Sequence, residues 1–107
     1  MRQITAPELA ERLADPQGGK PLLLDVREPA EFAICRIEGS QLMPMATVPA
    51  RQTELDPDDE IVVICHHGSR SAHVCMFLER QGFSKVINLA GGVAAWAAQV
   101  DPTMPQY

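Results

Sequence analysis

The sequence predicts an α/β domain, with a mainly parallel sheet covered by helices on both faces. That expectation rests on three features. Short apolar runs alternate with segments of helical spacing along most of the chain. The run "IVVIC" (61–65) is β-branched, uninterrupted and bounded by the acidic turn "DPDDE" (56–60), which suits a strand buried on both faces. The chain has 107 residues, 46% of them hydrophobic, enough for one domain to bury a core without a disulfide or metal staple. One domain is expected over 1–107, with its core at about 5–98 and an extended tail at 99–107.

The elements follow in order. "TAPELAERLA" (5–14) reads as a helix, with Thr5 as N-cap, Glu8 as its capping-box partner, and Leu9 and Leu13 on one face. "DPQGGKP" (15–21) breaks it, and "LLLDV" (22–26) is a short buried strand. "REPAEFAIC" (27–35) is helical, with Pro29 in the first turn and Phe32 and Cys35 facing one way. "SQLM" (40–43) predicts a short strand before Pro44, and "MATVPARQTEL" (45–55) a short helix. After the strand at 61–65, "SRSAHVCMFLERQG" (69–82) is a helix that closes at Gly82, and Val74, Phe77, Leu78 and Gln81 follow its spacing. "KVINL" (85–89) is a further strand, and "AGGVAAWAAQV" (90–100) a Gly-Gly turn leading into a helix. The tail "DPTMPQY" (101–107) carries two prolines and no periodicity.

Charge and cysteine usage narrow the function classes. A net charge of -5 argues against a nucleic-acid or anionic-membrane binder, though not against a local positive pocket. Three cysteines, Cys35, Cys65 and Cys75, make no disulfide framework and fit a reducing compartment. The N-terminal stretch has no apolar signal core, so a cytoplasmic protein is expected.

The chemistry concentrates in "CHHGSRS" (65–71). In parallel α/β sheets, ligands bind beyond the carboxyl ends of strands, and Cys65 ends its predicted strand. Gly68 permits a tight turn between strand and helix. Such a turn aims backbone N–H groups inward, with a helix N-terminus behind them, and makes an anion nest. A free thiol has a pKa near ~8.5, and a nest with nearby cations lowers it. Arg70 offers a permanent charge, and His66, His67 and His73 partial charge near neutrality. Cys65 is therefore expected to be an activated nucleophile rather than a buried strand-end cysteine. Adjacent Cys-His-His lacks zinc-ligand spacing, and the chain has no Cys-x-x-Cys. Cys35, Cys75 and Trp96 are expected to pack in the core. Asp25 and Arg27 are expected to pair and brace the fold.

Three segments in order carry a family resemblance. "LLLDVREPAEF" (22–32), "CHHGSRS" (65–71) and "GFSKVINLAGGVAAW" (82–96) resemble the signatures of the single-domain rhodanese-like family, which includes the thiosulfate sulfurtransferases. The resemblance implies a three-layer α/β/α fold with about five strands. It also implies sulfur transfer. Cys65 would take a sulfane sulfur from a small anionic donor such as thiosulfate, hold it as a persulfide, and pass it to cyanide, a thiol or a protein acceptor. Residues His66, His67, Gly68, Ser69 and Arg70 would bind the sulfur and its donor, with no metal or organic cofactor. One segment departs from the family pattern: "CRIEGS" (35–40) stands where the family often reads Gly-His-Ile-Pro-Gly-Ala, and Arg36 is expected at the surface.

Two other functions compete. Phosphatases and arsenate reductases of the same fold carry five residues between Cys and Arg, whereas four stand here, and the loop offers no general acid. A non-catalytic, partner-binding rhodanese module is the other alternative, but many such modules lack the loop cysteine that this chain keeps.

Overall fold

Side chains alternate across β4 (Ile61–Ile64), and both directions lead into a core. Val62 and Ile64 join one apolar cluster, while Ile61 and Val63 join the other, together with Cys65 just beyond the strand. The computed structural model describes residues 1–107. β4 is the central strand of a five-stranded, wholly parallel sheet. The others are β1 (Arg2–Ile4), β2 (Leu22–Asp25), β3 (Gln41–Leu42) and β5 (Val86–Leu89), in the spatial order β1-β5-β4-β2-β3.

Helices cover both faces, as the alternation predicts. On one side, α1 (Ala6–Ala14) and α5 (Gly92–Gln99) set Ala6, Leu9, Val93, Trp96 and Ala97 against Leu23, Ile87 and Leu89. On the other, α4 (Ser69–Arg80) sets Val74, Cys75 and Leu78 against Leu24, Val63 and Val86. Cys75 and Trp96 lie in the core as expected, and Cys35 packs beside Ile37 and Met104.

Local signals explain most element boundaries. Thr5 caps α1, its hydroxyl accepting from Glu8 N–H while the Glu8 carboxylate accepts from Thr5 N–H. Such a reciprocal cap contributes about 1 kcal/mol. Pro29 opens α2 (Pro29–Ile34), and Gly82, at φ +96°, follows the end of α4. The segment read as one short helix at 45–55 is a one-turn α3 (Val48–Arg51) between two 3-10 turns.

Three further features differ from the sequence reading. β1 was not anticipated; it takes its form from pairing with β5 rather than from an apolar run of its own. β4 stops at Ile64, one residue early, because the Cys65 carbonyl accepts from α5 instead of a neighbouring strand. The tail is not extended. It turns at 101–104, buries Met104 and lays Tyr107 against the carboxyl edge of the sheet. Arg36 is exposed, its guanidinium 4.7 Å from the Phe32 ring centroid. No helix is long and apolar enough to cross a membrane.

Candidate active site

The loop after β4 must reverse direction within a few residues to start α4. Gly68 makes the turn at φ +101°, a conformation that residues with side chains resist. The loop's carbonyls are drawn away from its concave side. Val93 N–H donates to the Cys65 carbonyl at 2.9 Å, and Ala94 N–H to the His66 carbonyl at 3.0 Å. Both donors belong to the first turn of α5, where backbone N–H groups have no partner within the helix. A Cβ at Gly92 would stand 2.3 Å from the Cys65 carbonyl oxygen, so this docking requires glycine.

With its carbonyls held by α5, the loop turns donors toward the sulfur. Gly68 N–H lies 3.0 Å from Cys65 Sγ, and the Ser71 hydroxyl 3.3 Å. Asn88, buried on β5, fixes the arrangement from behind. Its Nδ2 donates to the Gly68 carbonyl at 3.1 Å, and its Oδ1 accepts from the Ser71 hydroxyl. Burial pushes the Cys65 thiol up. The Ser71 hydroxyl, together with the backbone N–H groups of Ser71, Gly68 and His67, outweighs burial and leaves the thiol below its ordinary pKa. Cys65 is 1% exposed, so its sulfur forms the floor of a narrow cradle.

The expected cations behave differently from the sequence reading. Arg70 does stand at this edge, but its Nη1 and Nη2 donate to the two carboxylate oxygens of Glu31 at 2.7 and 2.9 Å. Glu31 also accepts from Tyr107 O–H at 2.8 Å and from Glu28 N–H at 3.1 Å. Arg70 before all holds the Glu31 carboxyl down at about 2. His66 stacks on Tyr107 with ring centroids 4.0 Å apart. Burial first, then the neighbouring His67, lowers the His66 pKa, which disfavours the charged form. His67, Ser69 and His73 are exposed.

Asp25 and Arg27 pair as expected, fully buried, with Nη2 to Oδ2 at 2.7 Å and Nε to Oδ1 at 2.9 Å. Arg27 Nη2 also donates to the Cys35 carbonyl at 2.7 Å, and Nη1 to Tyr107 Oη at 2.9 Å. A continuous chain of polar contacts therefore runs Asp25–Arg27–Tyr107–Glu31–Arg70 along the edge.

The fold gathers Cys65, His66, His67, Gly68, Ser69 and Arg70 at one sheet edge. Among them, Gly68 and His67 reach the sulfur, each through its backbone N–H and not through a side chain. Sequence reasoning passed over Ser71, Asn88, Glu31 and Tyr107. Ser71 falls one helical turn into α4, facing Cys65, and its place after Arg70 was the one available signal. The other three arrive from distant segments.

A family model described as "Rhodanese-like domain" matches residues 5–99. A protein of Allochromatium vinosum named "Sulfurtransferase" is 39% identical over 97 residues, covering 91% of this chain and 89% of the relative. A probable adenylyltransferase/sulfurtransferase of Mycobacterium tuberculosis is 38% identical over 106 residues; the match spans 97% of this chain but only 26% of that longer protein. The crystal structure of a rhodanese-like domain protein from Staphylococcus aureus superposes with a TM-score of 0.85 at 30% identity, covering 100% of this chain and 99% of that one.

Proposed function

Since the chain belongs to the rhodanese-like domain family and has a rhodanese-type sulfur-transfer role, we propose that it moves a sulfane sulfur through a persulfide on Cys65. The supporting observation is the cradle: a thiol at the end of β4 with Gly68 N–H 3.0 Å and Ser71 Oγ 3.3 Å from its sulfur. Donors aimed inward in a water-poor site stabilise negative charge without reorganising. The Cys65 thiolate attacks the terminal sulfur of a donor such as thiosulfate. The donor's S–S bond breaks, and sulfite leaves with its electron pair. The transferred sulfur then carries the negative charge and takes up backbone N–H groups of residues 66–70. A thiophilic acceptor (cyanide, a small thiol or a protein thiol) attacks that outer sulfur and regenerates the Cys65 thiolate. The cycle is ping-pong.

Residues near the mouth have separate tasks. His66, His67 and Ser69 line the approach to the sulfur. Gly68 supplies a cradle N–H, and Arg70 with Glu31 forms the polar wall. Four residues between Cys65 and Arg70 make a short loop, which suits one terminal sulfur better than a tetrahedral oxyanion.

Intact mass spectrometry after brief incubation with thiosulfate, or with a small-molecule persulfide, tests this reading. The wild type gains one sulfur, cyanide removes it, and Cys65→Ser gains none. A gain on Cys65→Ser would move the reactive thiol to Cys35 or Cys75 and sink the site assignment.

A further inference from the structure

Arg70 is the permanent cation of the loop, and the fold does not leave it free. Glu31 occupies two of its N–H groups, one with each carboxylate oxygen. The carboxylate is itself held by Tyr107 O–H and Glu28 N–H, so four donors fix it in place. The other charges at this edge are equally committed. Arg27 is buried against Asp25, and His66 is stacked on Tyr107, where burial disfavours its charged form. His67 in the loop and His73 on α4 stand exposed with no acidic partner.

We propose that Glu31 sets donor preference: by pairing with Arg70 at the mouth of the Cys65 cradle, it selects a persulfide on an uncharged thiol carrier over a dianionic donor such as thiosulfate. The inference rests on the sulfur-transfer reading of Cys65.

The physical case is one of charge balance. The Arg70–Glu31 pair is neutral as a unit, and the attacking Cys65 thiolate is negative. A dianion approaching that thiolate meets like charge with no unpaired arginine to offset it. To reach Arg70 it must displace Glu31. That leaves a carboxylate beside the dianion with only a phenol and a backbone N–H as partners. While it is paired, Arg70 holds the Glu31 carboxyl down at about 2, so the pair keeps its carboxylate at working pH, and a dianion that takes Arg70 also removes the contact that favours that charge. A persulfide on a neutral carrier brings at most one negative charge, and its protonated form R–S–SH, the form that reacts, brings none. Cys65 Sγ bonds to its outer sulfur, the R–S–S bond breaks, and the inner sulfur leaves with the electron pair. That thiolate takes the proton of the outer sulfur, so RSH departs and Cys65 is left as S–S⁻. No net oxidation or reduction occurs.

Glu31→Gln is a suitable probe. Glutamine can still serve in the α2 capping box, so the helix start is kept while the charge is removed. Cys65 loading is followed by quench and intact mass on the full chain, wild type and E31Q, against thiosulfate and N-acetylcysteamine persulfide. In E31Q the ratio of kcat/KM values shifts about tenfold toward thiosulfate, mainly through a lower KM for thiosulfate. High salt erases that gain, because it comes from a newly free charge. An unchanged ratio, or a loss common to both donors, overturns the inference and assigns Glu31 a structural role, while sulfur loading itself still upholds the Cys65 reading. No loading of Cys65 by either donor in either protein overturns both.

Discussion

Cys65 and Cys75 are two buried thiols of one apolar cluster, 1% and 0% exposed, yet their protonation is driven in opposite directions. Burial pushes the Cys75 thiol up to about 12, and Glu79 adds to the rise. Burial also pushes Cys65 up, but the donors around it carry it below its ordinary value. The difference is backbone geometry. Cys75 sits inside α4, where the N–H groups around it are spent on helical bonds. Cys65 sits where a strand has ended and a helix has not begun, and there N–H groups have nothing better to bond than a thiolate. Burial alone makes a thiol inert; burial among inward donors makes a nucleophile.

The sharpest way to break this comparison is selective alkylation. In the folded protein at pH 7, iodoacetamide should label Cys65 faster than Cys75 by roughly a thousandfold or more, since a thiol at about 12 is almost never ionised there. The labelling rate of Cys65 should rise with pH and level off below the range of a free cysteine, because its pKa is lowered. Mass spectrometry of the labelled peptides reads both rates. Comparable rates at the two sites would remove the distinction on which the active-site assignment stands. Cys75→Ala should keep sulfur transfer within about twofold, as a core residue that is not among the hydrogen-bond donors to the Cys65 sulfur.

A backbone change should erase the advantage of Cys65 without touching it. Gly92 has φ +58°, and a Cβ there would press on the Cys65 and His66 carbonyls at 2.3 and 2.5 Å. Gly92→Ala must push the loop off the N-terminus of α5 and adopt a left-handed conformation. It should destabilise the fold by about 2–4 kcal/mol. Sulfur loading should fall by about thirtyfold, and Cys65 labelling should move toward higher pH as the N–H groups lose their aim. Thermal denaturation and the alkylation profile, measured together, separate the two effects. A variant that is destabilised but keeps the wild-type profile would show that α5 does not set the loop's geometry.

How much of this was legible in the sequence divides along the same line. The apolar runs at β2, β4 and β5 and the Thr5–Glu8 cap are local signals, and the fold keeps them. The Cys65 loop was also readable, because a strand, a glycine and a helix start lie within a few residues. β1 was not, since Arg2 and Gln3 are polar and exposed and the strand exists only by pairing with β5. The electrostatics were read in part wrongly for the same reason. The segment from Ile61 to Leu78 has no acidic residue, and Arg70 was read there as a permanent charge for the loop; Glu31, 39 positions earlier, pairs with it in space. Tyr107, from a tail without periodicity, reaches Arg27 80 positions away. Contacts of such separation leave no trace in spacing or composition.

The smallest effect, and the finest test of the cradle, belongs to Ser71. Its hydroxyl has one proton and two acceptors, Cys65 Sγ at 3.3 Å and Asn88 Oδ1. Asn88 cannot flip to release it, because its Nδ2 is held by the Gly68 carbonyl at 3.1 Å. While Cys65 keeps its proton, Ser71 donates to Asn88. When Cys65 ionises, the hydroxyl turns to the sulfur and Asn88 Oδ1 loses a partner. Part of what the thiolate gains is therefore offset at Asn88, and the net contribution of Ser71 stays modest. Ser71→Ala should shift Cys65 labelling toward higher pH. It should slow labelling at pH 7 by only about threefold, since a less ionised thiol is intrinsically more nucleophilic once ionised. A far larger loss would mean that Ser71, rather than the backbone N–H groups, is the main stabiliser of the charge. No change would leave the cradle to Gly68 and the backbone alone.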